Sequence, residues 1–309
     1  MKKIIFLILF LSIFIDQRSY SVETFVVFKV NNKIITNIDI ENEYRYLAAL
    51  SPSLQKIDKK QLINLAKQSI IREKIKEDEI LKHFDLSVEN RLIDKIIYNF
   101  YKKMGMKTEN EFKSYLSEHN LDYDDIKKKI SIEAAWNDLI YKLFSKRIVI
   151  DEEKIKKKIN KLKTSSNELN VYLLSEILFT AENYEDLQKK YDLIKKSIKN
   201  VGFDSTANLH SIADSAKLGG KVGWVNESQL NEIIVKEVAK LNINEYTEPI
   251  TVPGGFLIIK LENKKKEKKD INFDEEFNKQ ISIESNSQLN QFSEIFFKKI
   301  KKNSVISEK

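Results

Sequence analysis

Through most of this chain, apolar residues recur at three- and four-residue spacing, the period of a helix with one buried face. Leu62, Leu65, Ala66 and Ser69 mark one stripe and predict a helix over 61–83. Ile93, Ile96, Ile97, Phe100 and Met104 mark a second, ended by Gly105. Thr108-Glu109-Asn110-Glu111 has the form of a capping box and opens a third, with Phe112, Tyr115 and Leu116 inward. A long helix follows over 122–146, presenting Ile126, Ile130, Ala134, Ile140 and Phe144. Asp151 caps another, and Thr164-Ser165-Ser166-Asn167 reads as a linker. At the start, Phe25 to Val30 and Lys33 to Thr36 flank Asn31-Asn32, which predicts a hairpin. Asn37 is placed to cap a helix carrying Glu41, Tyr44 and Leu47, which Ser51-Pro52-Ser53 breaks.

The pattern changes between Val171 and Glu262. Val171 to Phe179 and Gly254 to Leu261 are strand-like runs. Between them the pattern predicts helices over 184–199, 203–208 and 231–241, with a glycine turn, Leu218-Gly219-Gly220-Lys221-Val222-Gly223-Trp224, before the third. Five of the seven glycines fall in that turn and at Gly254-Gly255, so tight backbone geometry is concentrated here. Strands separated by helices in so short a span suggest a compact α+β domain. The lysine-rich run 263–270 reads as a solvated linker. After it, Phe273, Phe277, Ile281, Leu289, Phe292 and Phe296 form a stripe too apolar to face water alone. The helical unit before residue 150 is its expected partner, with Val305-Ile306 placed to add a strand beside Phe25 to Val30. The fold class is therefore α+β: a mainly helical N-terminal unit completed by a C-terminal helix, with one α+β domain inserted.

Composition adds three limits. Charged residues make up 32% and net charge is +7, spread over a surface of both signs. That favours an interspersed solvated surface over nucleic-acid binding. No cysteine is present, which excludes disulfides, thiolate metal sites and a Cys nucleophile. Lys2-Lys3 followed by the apolar run Ile4 to Ile15 and a polar segment ending Ser19-Tyr20-Ser21 has the layout of an export signal over 1–21. Its apolar core is short for a membrane span. An uncleaved leader remains the alternative, and a membrane is a partner only in that case.

The central motifs resemble the parvulin-type (PpiC) peptidyl-prolyl cis-trans isomerases. Leu174-Ser175-Glu176-Ile177-Leu178 is similar to that family's opening strand, and Gly219 to Trp224 to its glycine turn. Glu248-Pro249-Ile250 and Gly255 to Leu261 are similar to its last two strands. Val30 to Asp39 and the helices up to Ile150 resemble the start of SurA-type periplasmic chaperones. The resemblance divides the chain into a signal (1–21), a SurA-like N-terminal helical domain (22–150) and a helix with linker (151–170). A parvulin-like domain (171–263) and a linker with returning helix (264–309) complete it. It implies a periplasmic chaperone for unfolded outer-membrane proteins or other exported polypeptides. An active periplasmic isomerase is the second reading, and an inner-membrane-anchored interaction protein the third. No cofactor, metal or nucleic acid is implied.

The resemblance also assigns site positions, and several depart from the family's pattern. Glu176 and Leu257 stand where parvulins usually place histidines, and Ser211 lies in the stretch that usually carries an acidic or thiol residue. Leu230, Ile234 and Phe256 are the proline-pocket candidates. Isomerisation breaks no bond but must cross an amide barrier of roughly 18–20 kcal/mol, so it needs an apolar slot and polar groups that favour the twisted amide. With Glu176 and Leu257 in place, catalysis is expected to be weak or lost. Beside these readings stand plainer ones. Glu176 is read as a solvent-facing carboxylate, His210 as a lone surface histidine or a displaced member of the polar centre, and Trp224 as packed core.

Overall fold

A computed structural model describes residues 23–84, 91–164, 168–268 and 272–309. The leader, the linker residues 165–167 and the end of the lysine-rich run at 269–271 lie outside the described residues. Among those described, no helix is long and apolar enough to cross a membrane.

The chain opens with a hairpin, β1 (Val26–Val30) and β2 (Lys33–Thr36), turned at Asn31, whose φ of 52° suits an asparagine. Five helices follow: α1 (Asn37–Leu50), α2 (Lys59–Ile80), α3 (Arg91–Lys103), α4 (Glu109–Glu118) and α5 (Tyr123–Phe144). Thr36, not Asn37, caps α1, in a reciprocal box with Asp39. Asn37 is the first helical residue, and its Oδ1 accepts from the Phe25 amide at 2.9 Å instead. Ser51-Pro52-Ser53 ends α1 as expected and leads into a short 3-10 turn, Pro52–Lys56.

Helix α5 is the centre of this unit because it is buried on two sides. Ile126 and Ile130 join Ile93, Ile97, Tyr101, Phe112 and Leu116 of α3 and α4. Ile132, Trp136, Leu139 and Ile140 face α2 and the returning helix instead. A single stripe was the expectation; the second face, with Trp136 at its middle, was not. After α6 (Glu152–Thr164) comes the inserted domain, and after it α10 (Phe273–Lys302) and β7 (Ile306–Glu308). Strand β7 pairs with β1, so the first sheet has the order β2-β1-β7 and both ends of the described chain meet in it. Helix α10 lays Phe296 and Phe297 against Trp136, whose indole N–H donates to Ser293 at 2.8 Å.

The inserted domain holds β3 (Glu168–Phe179), α7 (Tyr184–Val201), α8 (Phe203–His210), β4 (Lys221–Asn226), α9 (Glu232–Val238), β5 (Ile250–Val252) and β6 (Gly255–Lys268). Its sheet is antiparallel, in the order β4-β3-β6-β5. Two expectations change here. The residues after the glycine turn are a strand, β4, paired with β3. The lysine-rich run is solvated but is no linker up to Lys268: β3 starts at Glu168, and the two zip together from Glu168↔Lys268 inward. Exposed lysines tolerate this because a two-stranded ribbon needs only its backbone groups paired, with Lys266 on Glu168 at 3.1 Å.

A chain of buried charges ties the helical unit together. Lys129 donates to Glu43 and Glu73, and these carboxylates hold its ammonium charged although burial disfavours it. Burial pushes the Glu77 carboxyl up, but Lys33, Lys74 and Lys128 outweigh it and leave the group at about 2. Burial likewise raises Glu133, while Lys217 and Lys76 bring it down to about 2. Both carboxyls sit below their ordinary 4.5, so the stability they add is present above pH 4.5 and lost as pH falls towards 2. The thermal midpoint is expected to stay level from roughly pH 8 to 5 and to drop below that, at about 1–2 kcal/mol per carboxylate after solvent screening. Melts followed by circular dichroism at pH 6 and pH 3 check this; equal midpoints would contradict it.

Candidate functional site

The inserted sheet separates two apolar faces by simple alternation along its strands. On one face, Ile177, Phe179, Phe256 and Ile258 pack under α7 and α8, with Tyr191, Ile194 and Phe203. On the other, Leu174, Leu178, Leu257 and Ile259 meet α9 and the segment before it, through Leu230, Ile234 and Val238. Glu176 lies opposite Ile259 in the β3–β6 register, which puts its side chain on the second face. This face is the candidate site.

The site collects some of the expected residues and rejects others. Leu230 and Ile234 share one cluster with Leu257, which is 8% exposed. Phe256 does not belong: one residue along the strand, it points to the opposite face and packs on Phe179 with ring centroids 5.8 Å apart. Glu176 is no surface carboxylate. It is half-buried, and Oε1 accepts from the Ser215 hydroxyl at 2.8 Å. Ser211 accepts from the backbone, from the Leu178 amide at 3.0 Å and the Ala213 amide at 3.2 Å, which leaves its O–H to donate. Trp224 is not core but 46% exposed, with the Lys265 ammonium 4.6 Å from its ring centroid. His210 is half-buried beside α2 rather than in the groove, and burial pushes its imidazole down towards the neutral form.

Two contributors escaped the sequence reading. Leu178 was legible in principle, since it follows Glu176 by one strand period. Ser215 was not, because it arrives from a 3-10 turn, Asp214–Leu218, far along the chain. That turn is placed by glycine. Gly220 has φ of 76°, and a Cβ there would lie 2.3 Å from the Glu176 carbonyl oxygen. The close approach lets the Glu176 amide donate to the Gly220 carbonyl at 2.7 Å, which sets β4 against β3 beside the site.

The helical unit holds this domain by polar contacts. Ser205 donates to the Ser53 carbonyl and Ser53 to Asn208 Oδ1, each at 2.6 Å. Asn208 Nδ2 donates to Ser51 Oγ, and Ser51 to the Lys217 carbonyl, each at 2.9 Å. On the other side Lys158 of α6 donates to the Leu230 carbonyl at 2.9 Å, and Gln280 of α10 to the Ser228 carbonyl at 2.9 Å. The wall of the apolar slot is thus fixed from outside the domain. Chemically, the site offers an apolar recess with the Glu176 carboxylate, its Ser215 donor and the Ser211 hydroxyl beside it. Among the described residues, no group of three or more His, Asp or Glu converges to hold a metal.

Comparison with known proteins finds a family match on the inserted domain and more distant relatives along the chain. Residues 172–263 match the family described as Rotamase: PPIC-type PPIASE domain. Chaperone SurA of Pseudomonas putida is 24% identical over 75% of this chain and 59% of its own length. Chaperone SurA of Pseudomonas aeruginosa is 26% identical over 53% of this chain and 41% of its own. Foldase protein PrsA of Clostridium acetobutylicum is 27% identical over 71% and 63% respectively. The chain therefore spans less than two thirds of these relatives. A solved structure described as a SurA-like chaperone of Campylobacter jejuni covers 92% of this chain and 98% of its own, with 18% identity and a TM-score of 0.37.

Proposed function

We propose that this protein is a periplasmic chaperone that holds unfolded exported polypeptides, outer-membrane proteins among them, on the strength of the parvulin-type match over residues 172–263 and the similarity to SurA chaperones. In this reading the parvulin domain binds proline-containing segments and contributes little catalysis. One observation carries it: Leu178, Leu230, Ile234 and Leu257 gather into an apolar recess, and the two positions where parvulins usually place histidines hold Leu257 and Glu176, the latter accepting from Ser215.

The physical argument concerns donors. Lowering the barrier to rotation about an X-Pro bond requires groups that interact better with the twisted amide than with the planar one. Leu257 offers no hydrogen bond. The Ser215 hydroxyl is used on Glu176, and a carboxylate presents acceptors only. A proline ring seated here would be bound about equally in its planar and twisted forms, which gives affinity without rate. Holding is then passive, through preferential binding to the unfolded chain, and needs no energy source.

The test has two arms. The protein is expected to suppress aggregation of a β-barrel polypeptide diluted from urea at near-stoichiometric ratio. It is also expected to leave a proline tetrapeptide isomerising close to its uncatalysed rate, on the scale of tens to hundreds of seconds. Failure of suppression ends the chaperone reading. A strongly accelerated tetrapeptide favours the second reading, an isomerase working through the same recess, for which the shared cluster of Leu230 and Ile234 with Leu257 is the supporting feature.

A further inference from the structure

A cavity of about 450 Å³ lies where the parvulin-like domain meets the helical unit, on the side away from the apolar recess. One wall is α2, which turns Gln61, Asn64, Leu65 and Gln68 towards it. These positions are spaced i, i+3, i+4 and i+7, a single helix face. The opposite wall is the first face of the inserted sheet with its helices, through Phe179, Leu193, Ile194 and Ile212. Neither unit forms the cavity alone, and the polar contacts of Ser51 and Ser53 with α8 hold its walls together.

The lining has a specific chemistry. None of the three amide side chains on α2 hydrogen-bonds another protein group among the described residues, so each has a donor pair and an acceptor to give. Gln61 and Gln68 are separated by about 10 Å along the helix, the length of roughly three residues of extended chain. Asn64 and Gln68 are separated by about 6 Å, close to the two-residue repeat at which a strand presents its backbone groups on one edge. Facing this ladder are apolar side chains, with Leu193 54% exposed at the rim. The cavity carries no unbalanced charge. Lys190 spends its ammonium on Asp186 at 2.8 Å and the Thr180 carbonyl at 2.9 Å, and burial shifts His210 towards its neutral form. Phosphate-bearing ligands therefore find no counter-charge, whereas an uncharged peptide finds both backbone partners and apolar contact.

We infer that this interdomain cavity is a second polypeptide-binding subsite, which takes about three residues of uncharged, extended chain with its backbone on Gln61, Asn64 and Gln68 and an apolar side chain against Leu65 and Leu193. The inference rests on the chaperone reading and deepens it, because it gives an unfolded client a site that needs no proline. The segment Leu209–Ile212 connects the two sites. It forms part of the cavity wall, and its Ser211 and Ile212 bond Leu178 of the apolar recess, the latter at 2.7 Å. A client can thus be gripped on both faces of one sheet.

The full-length protein tests this with a labelled, end-blocked peptide of alternating valine and threonine, read by fluorescence anisotropy. Gln68→Arg and Leu193→Asp alter exposed side chains, and circular dichroism establishes that both variants fold. Each is expected to weaken the peptide by about five-fold or more, the cost of one lost hydrogen bond or apolar contact. A benzoyl-phenylalanine at position 193 is expected to crosslink to an unfolded β-barrel polypeptide. If the unaltered protein suppresses barrel aggregation while both variants bind the peptide as it does, the subsite is overturned and the chaperone reading stands. If the unaltered protein neither suppresses aggregation nor binds the peptide, the chaperone reading falls and the subsite falls with it.

Discussion

A Gly220→Ala chain is expected to lose its parvulin-like domain while keeping its helical unit. The added Cβ would sit 2.3 Å from the Glu176 carbonyl oxygen and 2.8 Å from the Ala207 Cβ. One of those is backbone in the central strand, and neither can swing aside. The φ of 76° adds the left-handed penalty of about 1–2 kcal/mol for any residue with a side chain. Relief requires β4 to move away from β3, which breaks the 2.7 Å bond from the Glu176 amide and withdraws Ser215 from the carboxylate. The total cost is expected to exceed about 3 kcal/mol, a large part of the stability of a small domain. Gly223→Ala supplies the control. Its φ of 96° is also positive, but nothing lies within 4 Å of its Cβ, so only the conformational penalty applies. Hydrogen exchange across 172–263 distinguishes the two: protection is expected to collapse in the first and persist in the second. Equal protection would show that close approach is not what the glycine serves.

Trp136→Ala is expected to damage the other half of the molecule. Trp136 is 1% exposed, stacks on Phe296 at 5.6 Å and meets Phe297 edge-on at 6.3 Å. The Lys76 ammonium also lies 5.3 Å from its ring centroid. Removing the side chain leaves a cavity that flanking helices cannot fill and strands the Ser293 hydroxyl, at about 3–5 kcal/mol. Because the buried indole packs on both Phe296 and Phe297 and bonds Ser293, the loss should appear as release of α10. The expected readings are a thermal midpoint lower by roughly 6–20 °C and early proteolytic cleavage inside 273–302. A midpoint within a few degrees of the original would mean that α10 is held elsewhere, through Phe292 on Phe144 and Glu294 on Arg72.

The two variants act on different kinds of information. The hairpin, the helices and the returning phenylalanine stripe were legible because periodicity depends only on which side of an element must be dry. The glycine cluster was legible for a similar reason, since few other residues accept a positive φ. Phe256 was misassigned because apolar character does not reveal which face of a strand a residue occupies until the register is known. Trp224 was misassigned because a large aromatic is usually buried, yet on β4 it stays 46% exposed with the Lys265 ammonium against its ring. Glu176 was read as exposed from residue type alone, whereas the fold half-buries it and brings Ser215 to its carboxylate.

By itself the sequence determined the helices, the hairpin and the two long strand-like runs, the α+β class and the parvulin pattern, including the two positions where the pattern lacks histidine. It did not determine β4 or the extension of β6 to Lys268. Tertiary structure decided what those positions meet. Ser215 reaches Glu176 across 39 positions of chain, and Ser51 reaches Lys217 across 166. Contacts at such separations follow from how whole elements stack, which no local period encodes. The cavity between α2 and the inserted domain belongs to this second class: its polar wall and its apolar wall are more than a hundred residues apart, and only docking makes them one surface.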